Sequence, residues 1–197
     1  MKNKILLSLI VIFAILIFDC NSAGSQSIKE YKKTLAFPKP IINSAVWENT
    51  TKEKIYNNCI TALHLQGYEL EPLMTSKESG LIITKPVNYY PPFWRHNLLG
   101  GEYCLNVLVY ETDNKNLSIN IQIKGTKIYD YKVGSKGEST RIEVQKGESK
   151  HYGGYKQSEV WNGLTVKMSE DIEQFLVKLE SIQGKAISKT TITLNWE

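Results

Sequence analysis

Arginine is scarce in this sequence. The chain of 197 residues carries 24 lysines and arginines against 20 acidic residues, a formal net charge of +4, yet only Arg95 and Arg141 are arginines. Guanidinium groups are the side chains that most often read phosphates and base edges in nucleic acids. Acidic and basic residues are also interleaved, so the chain has no block of one charge sign. The composition therefore predicts no nucleic-acid partner.

Histidine and cysteine are also few, with three of each. Nucleophilic catalysis needs a serine or cysteine beside a base that a third group orients, and His64, His96 and His151 share no recognisable spacing with a carboxylate or cysteine. Zinc-ligand spacing, a phosphate-binding glycine loop and the EF-hand pattern are missing. We therefore predict that the protein is not an enzyme and holds no metal or cofactor. His64 is predicted to lie at the surface or its boundary.

No apolar run in the sequence is long enough for a comfortable membrane span. The longest one, Ile5–Phe18, has 14 uncharged residues and follows Lys2 and Lys4. A spanning helix needs roughly 20 apolar residues. A positive start followed by a short apolar run is typical of an export signal, so residues 1–19 are predicted to be a signal peptide that is removed.

The apolar run is followed by a cysteine that resembles a lipidation site. Cys20, with Ile17 and Phe18 before it, is similar to the lipobox of bacterial lipoproteins. The resemblance implies that Cys20 is acylated and becomes the new N-terminus. Because acyl chains contribute about 0.8 kcal/mol per buried methylene, the lipid would hold the protein on a membrane. Asn21 resembles the sorting pattern for the outer membrane of Gram-negative cells.

A second processing route starts from the same segment. Asp19 stands where the lipobox has a small residue. General signal peptidase could instead cut at the small residues Ser22, Ala23 and Gly24, which would release a secreted protein. A third interpretation keeps the apolar run as an anchor and makes Cys20 incidental.

The remaining chain has the composition of about one domain, since 42% of all residues are hydrophobic and 22% are charged. Residues 20–43 have little periodic apolar pattern and are predicted to form a lipid-anchored tether. Alternatively, Tyr31, Leu35 and Phe37 dock on the folded domain as a strap. Residues 44–197 are predicted to form a single domain.

Two helices are predicted from apolar spacing. Thr50 and Glu53 fit a capping box, and an apolar stripe follows as far as Gly67, so the first helix is expected over residues 51–66. The second begins near Ser158 and ends before Gly184. Its stripe comprises Trp161, Leu164, Met168, Ile172, Phe175, Leu179 and Ile182.

The segments between and after the helices predict strands. Residues 68–73 and 80–84 are expected to form one hairpin, and residues 103–111 and 117–124 a longer one, because apolar and polar residues alternate strictly from Leu117 to Lys124. Residues 127–133 and 140–145 are weaker candidates, and the alternation in residues 190–196 predicts an additional edge strand. The predicted fold class is therefore α+β, an antiparallel sheet of about four to six strands with two helices packed on one face.

This order of elements carries a family resemblance. Val46-Trp47 before a helix, then Gly67-Tyr68-Glu69-Leu70, then Ser79 to Thr84, resemble the helix-grip domains of small bacterial lipoproteins such as the BamC-type component of the outer-membrane β-barrel assembly machine. The resemblance covers roughly residues 45–125. It implies a non-enzymatic envelope lipoprotein and transfers no functional residue.

Two further features are candidate sites. Cys59 and Cys104 could form a disulfide in an oxidising compartment, or remain two separate thiols. The segment of residues 86–96 is rich in proline and aromatic residues, which indicates a loop with a contact surface. Its candidate contact residues are Tyr89, Tyr90, Phe93, Trp94 and Arg95; in the alternative, Phe93 and Trp94 fold back onto the core.

These features favour a lipid-tethered binding or assembly module of the cell envelope. Its partners would be the membrane, through the N-terminal lipid, and an envelope protein. The alternative is a secreted or surface protein that binds an external ligand.

Overall fold

The computed structural model describes residue 33 and residues 35–89, 99–133, 139–144 and 156–194. It divides the chain into two compact units, Met1–Phe37 and Pro38–Glu197. The predicted signal peptide and Cys20 lie outside the described residues. Within the described ranges, no helix has both the length and the apolar character needed to cross a membrane.

The second unit is an antiparallel sheet with two long helices. The strands are β1 Ile41–Trp47, β2 Leu81–Ile83, β3 Val87–Tyr89, β4 Leu99–Glu111, β5 Leu117–Val133, β6 Ser139–Glu143 and β7 Ser188–Ile192; the helices are α1 Lys52–Leu65 and α2 Gln157–Gln183. Neighbouring strands are hydrogen-bonded in the order β2-β4-β5-β1-β7, and β3 adds to β4 while β6 adds to β5. The predicted α+β class is confirmed, with seven strands among the described residues.

The sheet is built on the long hairpin β4–β5, which was predicted and extends further than expected. Its alternating apolar side chains point to the helices and are buried, among them Val107, Val109, Ile119 and Ile121. Each strand of this hairpin is long enough to pair with two short strands on its outer edge. One face of the sheet therefore packs against the helices, as expected for an amphipathic antiparallel sheet.

A β-bulge interrupts the alternation in β5. Glu102 pairs with Lys127 and Cys104 with Lys124, so Tyr103 lies opposite two residues. One of them is Gly125, with φ +61°, the left-handed conformation typical of a glycine bulge. The extra residue changes which side chains face the helices, so Ile128 is buried and Lys127 lies on the open face.

Two boundaries predicted for the N-terminal half are wrong. Strand β1 starts at Ile41, inside the segment predicted to be tether, and pairs with β5 and β7. Residues 68–73 form no strand. Two isolated antiparallel bridges, Leu70–Thr84 and Ser76–Leu81, flank this segment. Between them the amide of Thr75 donates to the carbonyl of Glu71, and this turn interrupts continuous pairing with β2.

The helices follow the predicted stripes, with one correction at each. The N-cap of α1 is Thr51, whose hydroxyl accepts from the amide of Lys54 at 3.2 Å, so the predicted capping box at Thr50 is one residue early. Thr50 instead accepts from the side chain of Gln183. The α2 stripe is buried as far as Leu179, whereas Ile182, in the last turn, is 39% exposed.

Candidate functional site

A cleft of about 440 Å³ opens beside the C-terminal end of α1. The volume lies within the range of roughly 300–1,000 Å³ that small-molecule sites occupy. Its walls come from the end of α1, from the start of β3 and from the middle of α2. The lining residues are Gln66, Gly67, Tyr68, Glu69, Lys85, Pro86, Val87, Lys167 and Asp171.

The end of α1 positions Tyr68 in this cleft. Gly67 adopts φ +86°, which is favourable for glycine and strained for other residues. Its amide donates to the carbonyl of His64, and the amide of Tyr68 donates to the carbonyl of Leu63. This pair of bonds is the Schellman motif that ends many helices, so the helix ends just before Gly67, as the sequence predicted. The turn carries Tyr68 inward, where its side chain is buried.

Asp171 forms the centre of the cleft floor. Its carboxylate accepts short hydrogen bonds from the hydroxyl of Tyr103 and from the ammonium group of Lys167, one turn earlier on α2. Gln66 donates through Nε2 to the main-chain carbonyl of Asp171 at 2.8 Å. A buried carboxylate needs such partners because ionised groups are costly to remove from water. Asp171 therefore joins α1, α2 and β4 at one point.

Two polar atoms in this cluster lack a hydrogen-bond partner among the described residues. They are the hydroxyl of Tyr68 and Oε1 of Gln66, both buried. The hydroxyl of Tyr68 is near enough to Asp171 and Tyr103 for hydrogen-bonding contacts with both to affect its pKa, but neither contact has the distance and angle of an ordinary hydrogen bond. A buried polar atom without a partner costs about 1–3 kcal/mol. Both atoms belong to residues that line the cleft, where a bound molecule would supply the missing partners.

Both tyrosine hydroxyls in the cluster remain protonated at neutral pH. Burial raises the pKa of Tyr68 well above the ordinary tyrosine value, and the charge of Asp171 raises it further. Burial likewise raises the pKa of Tyr103, with Tyr68 and Asp171 adding to the effect. The cluster therefore offers neutral hydrogen-bonding groups rather than a tyrosinate.

The charges at the cleft are paired. Glu69 and Lys85 form an exposed ion pair at the rim, with 2.8 Å between nitrogen and oxygen, and Lys167 is paired with Asp171. The formal charges of these four side chains sum to zero. The cleft therefore has no net charge with which to select an anion or a cation.

A second polar cluster on the open face of the sheet has a structural role. Glu102 accepts from the hydroxyl of Tyr129 and from the guanidinium of Arg141, and that guanidinium lies 3.3 Å from the centre of the Tyr129 ring. Burial and the hydrogen bond to Glu102 raise the pKa of Tyr129 to about 12. These contacts connect β6 to β4 and β5.

The predicted contact surface lies mostly outside the described residues. Tyr90, Phe93, Trp94 and Arg95 fall there, and the proposal that they form a contact stays a prediction. Tyr89 ends β3, opposite Gly101, and is half-buried. It follows the cleft residue Val87 by two positions.

The two cysteines of the domain are free thiols in the structure. Cys59 is fully buried on α1, which covers one face of the sheet. Cys104 alternates with the inward-pointing Tyr103 and Leu105, so its half-buried side chain lies on the opposite face. This arrangement corresponds to the alternative of two separate thiols, and not to the disulfide.

Sequence reasoning did not identify the cluster around Asp171. One signal was present, because Asp171 falls three residues after Met168 and four before Phe175, on the apolar stripe of α2. A carboxylate at such a position needs a buried partner.

His64 is exposed, as predicted, while His96 and His151 lie outside the described ranges. Within those ranges, no group of three or more histidine, cysteine or acidic residues is placed to hold a metal ion.

No protein-family model matches this chain, and neither does any curated protein sequence.

Proposed function

We propose that this protein is an exported lipoprotein of the bacterial cell envelope whose α+β domain is a non-enzymatic binding module. The proposed location rests on residues 1–21, where a short apolar run leads into the lipobox-like Cys20. The proposed activity rests on one structural observation, the cleft with the unpartnered Tyr68 hydroxyl and Gln66 carbonyl oxygen. An envelope protein that contacts residues 89–95 is the proposed macromolecular partner.

The chemistry of the cleft favours binding over catalysis. A general base must offer a proton acceptor to the substrate, but the Asp171 carboxylate already accepts from Lys167 and Tyr103. The raised pKa values keep Tyr68 and Tyr103 protonated. The groups that remain are suited to hydrogen bonding with a ligand.

The mass of the mature protein tests the proposed location. Protein extracted from membranes of the source bacterium should have a mass that begins at Cys20 and includes acyl chains, and it should partition into a detergent phase. A Cys20→Ala variant should lose both properties.

The opposite result has a specific alternative. Asp19 replaces the small residue of the lipobox, which favours cleavage at Ser22 to Gly24. A lipid-free mature protein that begins near Ser25 would contradict the lipoprotein proposal and support a secreted protein that binds an external ligand.

A further inference from the structure

The unpartnered atoms define which groups a ligand must carry. Nε2 of Gln66 donates to a carbonyl, and only the nitrogen of an amide can do so. Oε1 is therefore the unpartnered atom, and it can only accept. The hydroxyl of Tyr68 can donate and accept. A ligand that satisfies both must have at least one donor and benefits from a group that also accepts.

The charge balance restricts the ligand further. Opposite charges cancel within the Glu69–Lys85 pair and within the Lys167–Asp171 pair at the cleft. An anionic or cationic ligand would lose hydration without finding an unpaired counter-charge. A neutral ligand avoids this penalty.

We propose that the cleft binds a neutral, hydroxyl-rich ligand, a saccharide unit, through the hydroxyl of Tyr68 and Oε1 of Gln66. Sugar hydroxyls both donate and accept, which matches the two atoms, and the volume of about 440 Å³ accommodates a small ligand. The proposal rests on the binding function proposed above and gives it a ligand class.

Saturation-transfer NMR on the full-length protein tests this assignment. The probes are glucose, galactose and N-acetylglucosamine, with acetamide as an amide donor that lacks hydroxyls. The protein is kept in a detergent without a sugar headgroup, because such a headgroup would compete. We expect saturation transfer and a dissociation constant in the millimolar range for at least one sugar.

Matched variants locate the binding. Tyr68→Phe and Gln66→Ala should each weaken sugar binding by at least about tenfold, since each removes one buried hydrogen bond to the ligand. Tyr110→Phe and Gln122→Ala are the controls, because both side chains are exposed and lie on the opposite face of the sheet. Thermal unfolding of each variant verifies that it is folded.

Three outcomes overturn the proposal. Sugar binding that is unaffected in the folded Tyr68→Phe and Gln66→Ala variants places the ligand elsewhere. If acetamide binds and none of the sugars does, the cleft is assigned to an amide ligand. If no probe binds, the cleft is not a saccharide site. None of these results bears on the mass of the mature protein, so the saccharide assignment and the lipoprotein proposal can fail separately.

Discussion

At the scale of single residues, Tyr103 and Tyr68 differ in one respect although both are buried beside Asp171. The hydroxyl of Tyr103 donates to the Asp171 carboxylate, whereas the hydroxyl of Tyr68 has no partner among the described residues. The first hydroxyl should therefore stabilise the fold. The second should be close to neutral or destabilising, as is common for groups that serve binding.

This contrast predicts unequal effects of the same substitution. Tyr103→Phe should lower the free energy of unfolding by about 1.5–3 kcal/mol, the contribution of a hydrogen bond to a charged group. Tyr68→Phe should change it by less than about 0.5 kcal/mol or raise it. Urea unfolding of both variants measures the difference, and equal losses would show that the Tyr68 hydroxyl also supports the fold.

At the scale of elements, Glu180 fixes the C-terminal part of α2 to β7. Its buried carboxylate accepts from Lys189 at 2.8 Å, from Lys185 at 3.0 Å and from the amide of Ala186 at 3.1 Å. Burial alone would raise the pKa of Glu180, but these hydrogen bonds outweigh burial and lower it to about 2. The carboxylate is thus ionised in the folded protein over a wider pH range than in the unfolded chain.

The lowered pKa of Glu180 predicts a pH-dependent contribution to stability. Because the folded-state value is below the ordinary 4.5, the contribution is complete above about pH 4.5 and is lost as the pH falls toward 2. Its size is on the order of 2–3 kcal/mol. Urea unfolding between pH 7 and pH 2.5 should show a smaller decrease for Glu180→Gln than for the wild type. Parallel curves for the two proteins would contradict the assignment.

The bulge in β5 predicts a second effect at this scale. Gly125→Ala should destabilise the protein by about 1–2 kcal/mol, because the backbone conformation at φ +61° is strained for alanine. A Cβ there would meet nothing closer than Sγ of Cys104 at 3.8 Å, so the effect should come from the backbone and not from a clash. Gly125→Asn should cost less, since asparagine tolerates this conformation better. Thermal unfolding compares the variants, and an alanine variant as stable as the wild type would argue against the glycine bulge.

At the scale of the whole domain, the sheet separates two chemical environments. Cys59 lies under α1 on the covered face, while Cys104 lies on the other face and is half-buried. Burial raises the pKa of the Cys59 thiol strongly and that of Cys104 to a smaller extent. Only thiols that reach solvent as thiolates react readily.

The separation of the cysteines predicts their reactivity. In a Cys20→Ala background without reductant, iodoacetamide should modify Cys104 in the folded protein and Cys59 only after unfolding. Peptide mass spectrometry identifies each site. If neither cysteine reacted in denaturant until a reductant was added, the two would be joined by a disulfide.

Most of the secondary structure follows from local patterns. Strict alternation from Leu117 predicted the hairpin β4–β5, and spacings of three and four predicted both helices, because these periods follow from backbone geometry alone. The strand predicted at residues 68–73 is wrong, because a turn at Glu71 leaves only isolated antiparallel bridges to the β2 segment. Strand β1 was not predicted, and its first three residues were placed in the tether, because its partners β5 and β7 lie far along the chain.

The cleft depends on long-range packing and not on any local pattern. Gln66 and Asp171 meet across 105 positions of sequence, and Tyr103 and Asp171 across 68. Periodicity predicts which face of each element is buried, but it contains no information on which residues of two buried faces come together. The predicted export signal and the predicted lipidation motif are the reverse case, because each is read from a short contiguous segment and needs no tertiary structure. The register of α2 against β4 is what brings Asp171 to Tyr103, and that register is fixed only when the two apolar faces pack.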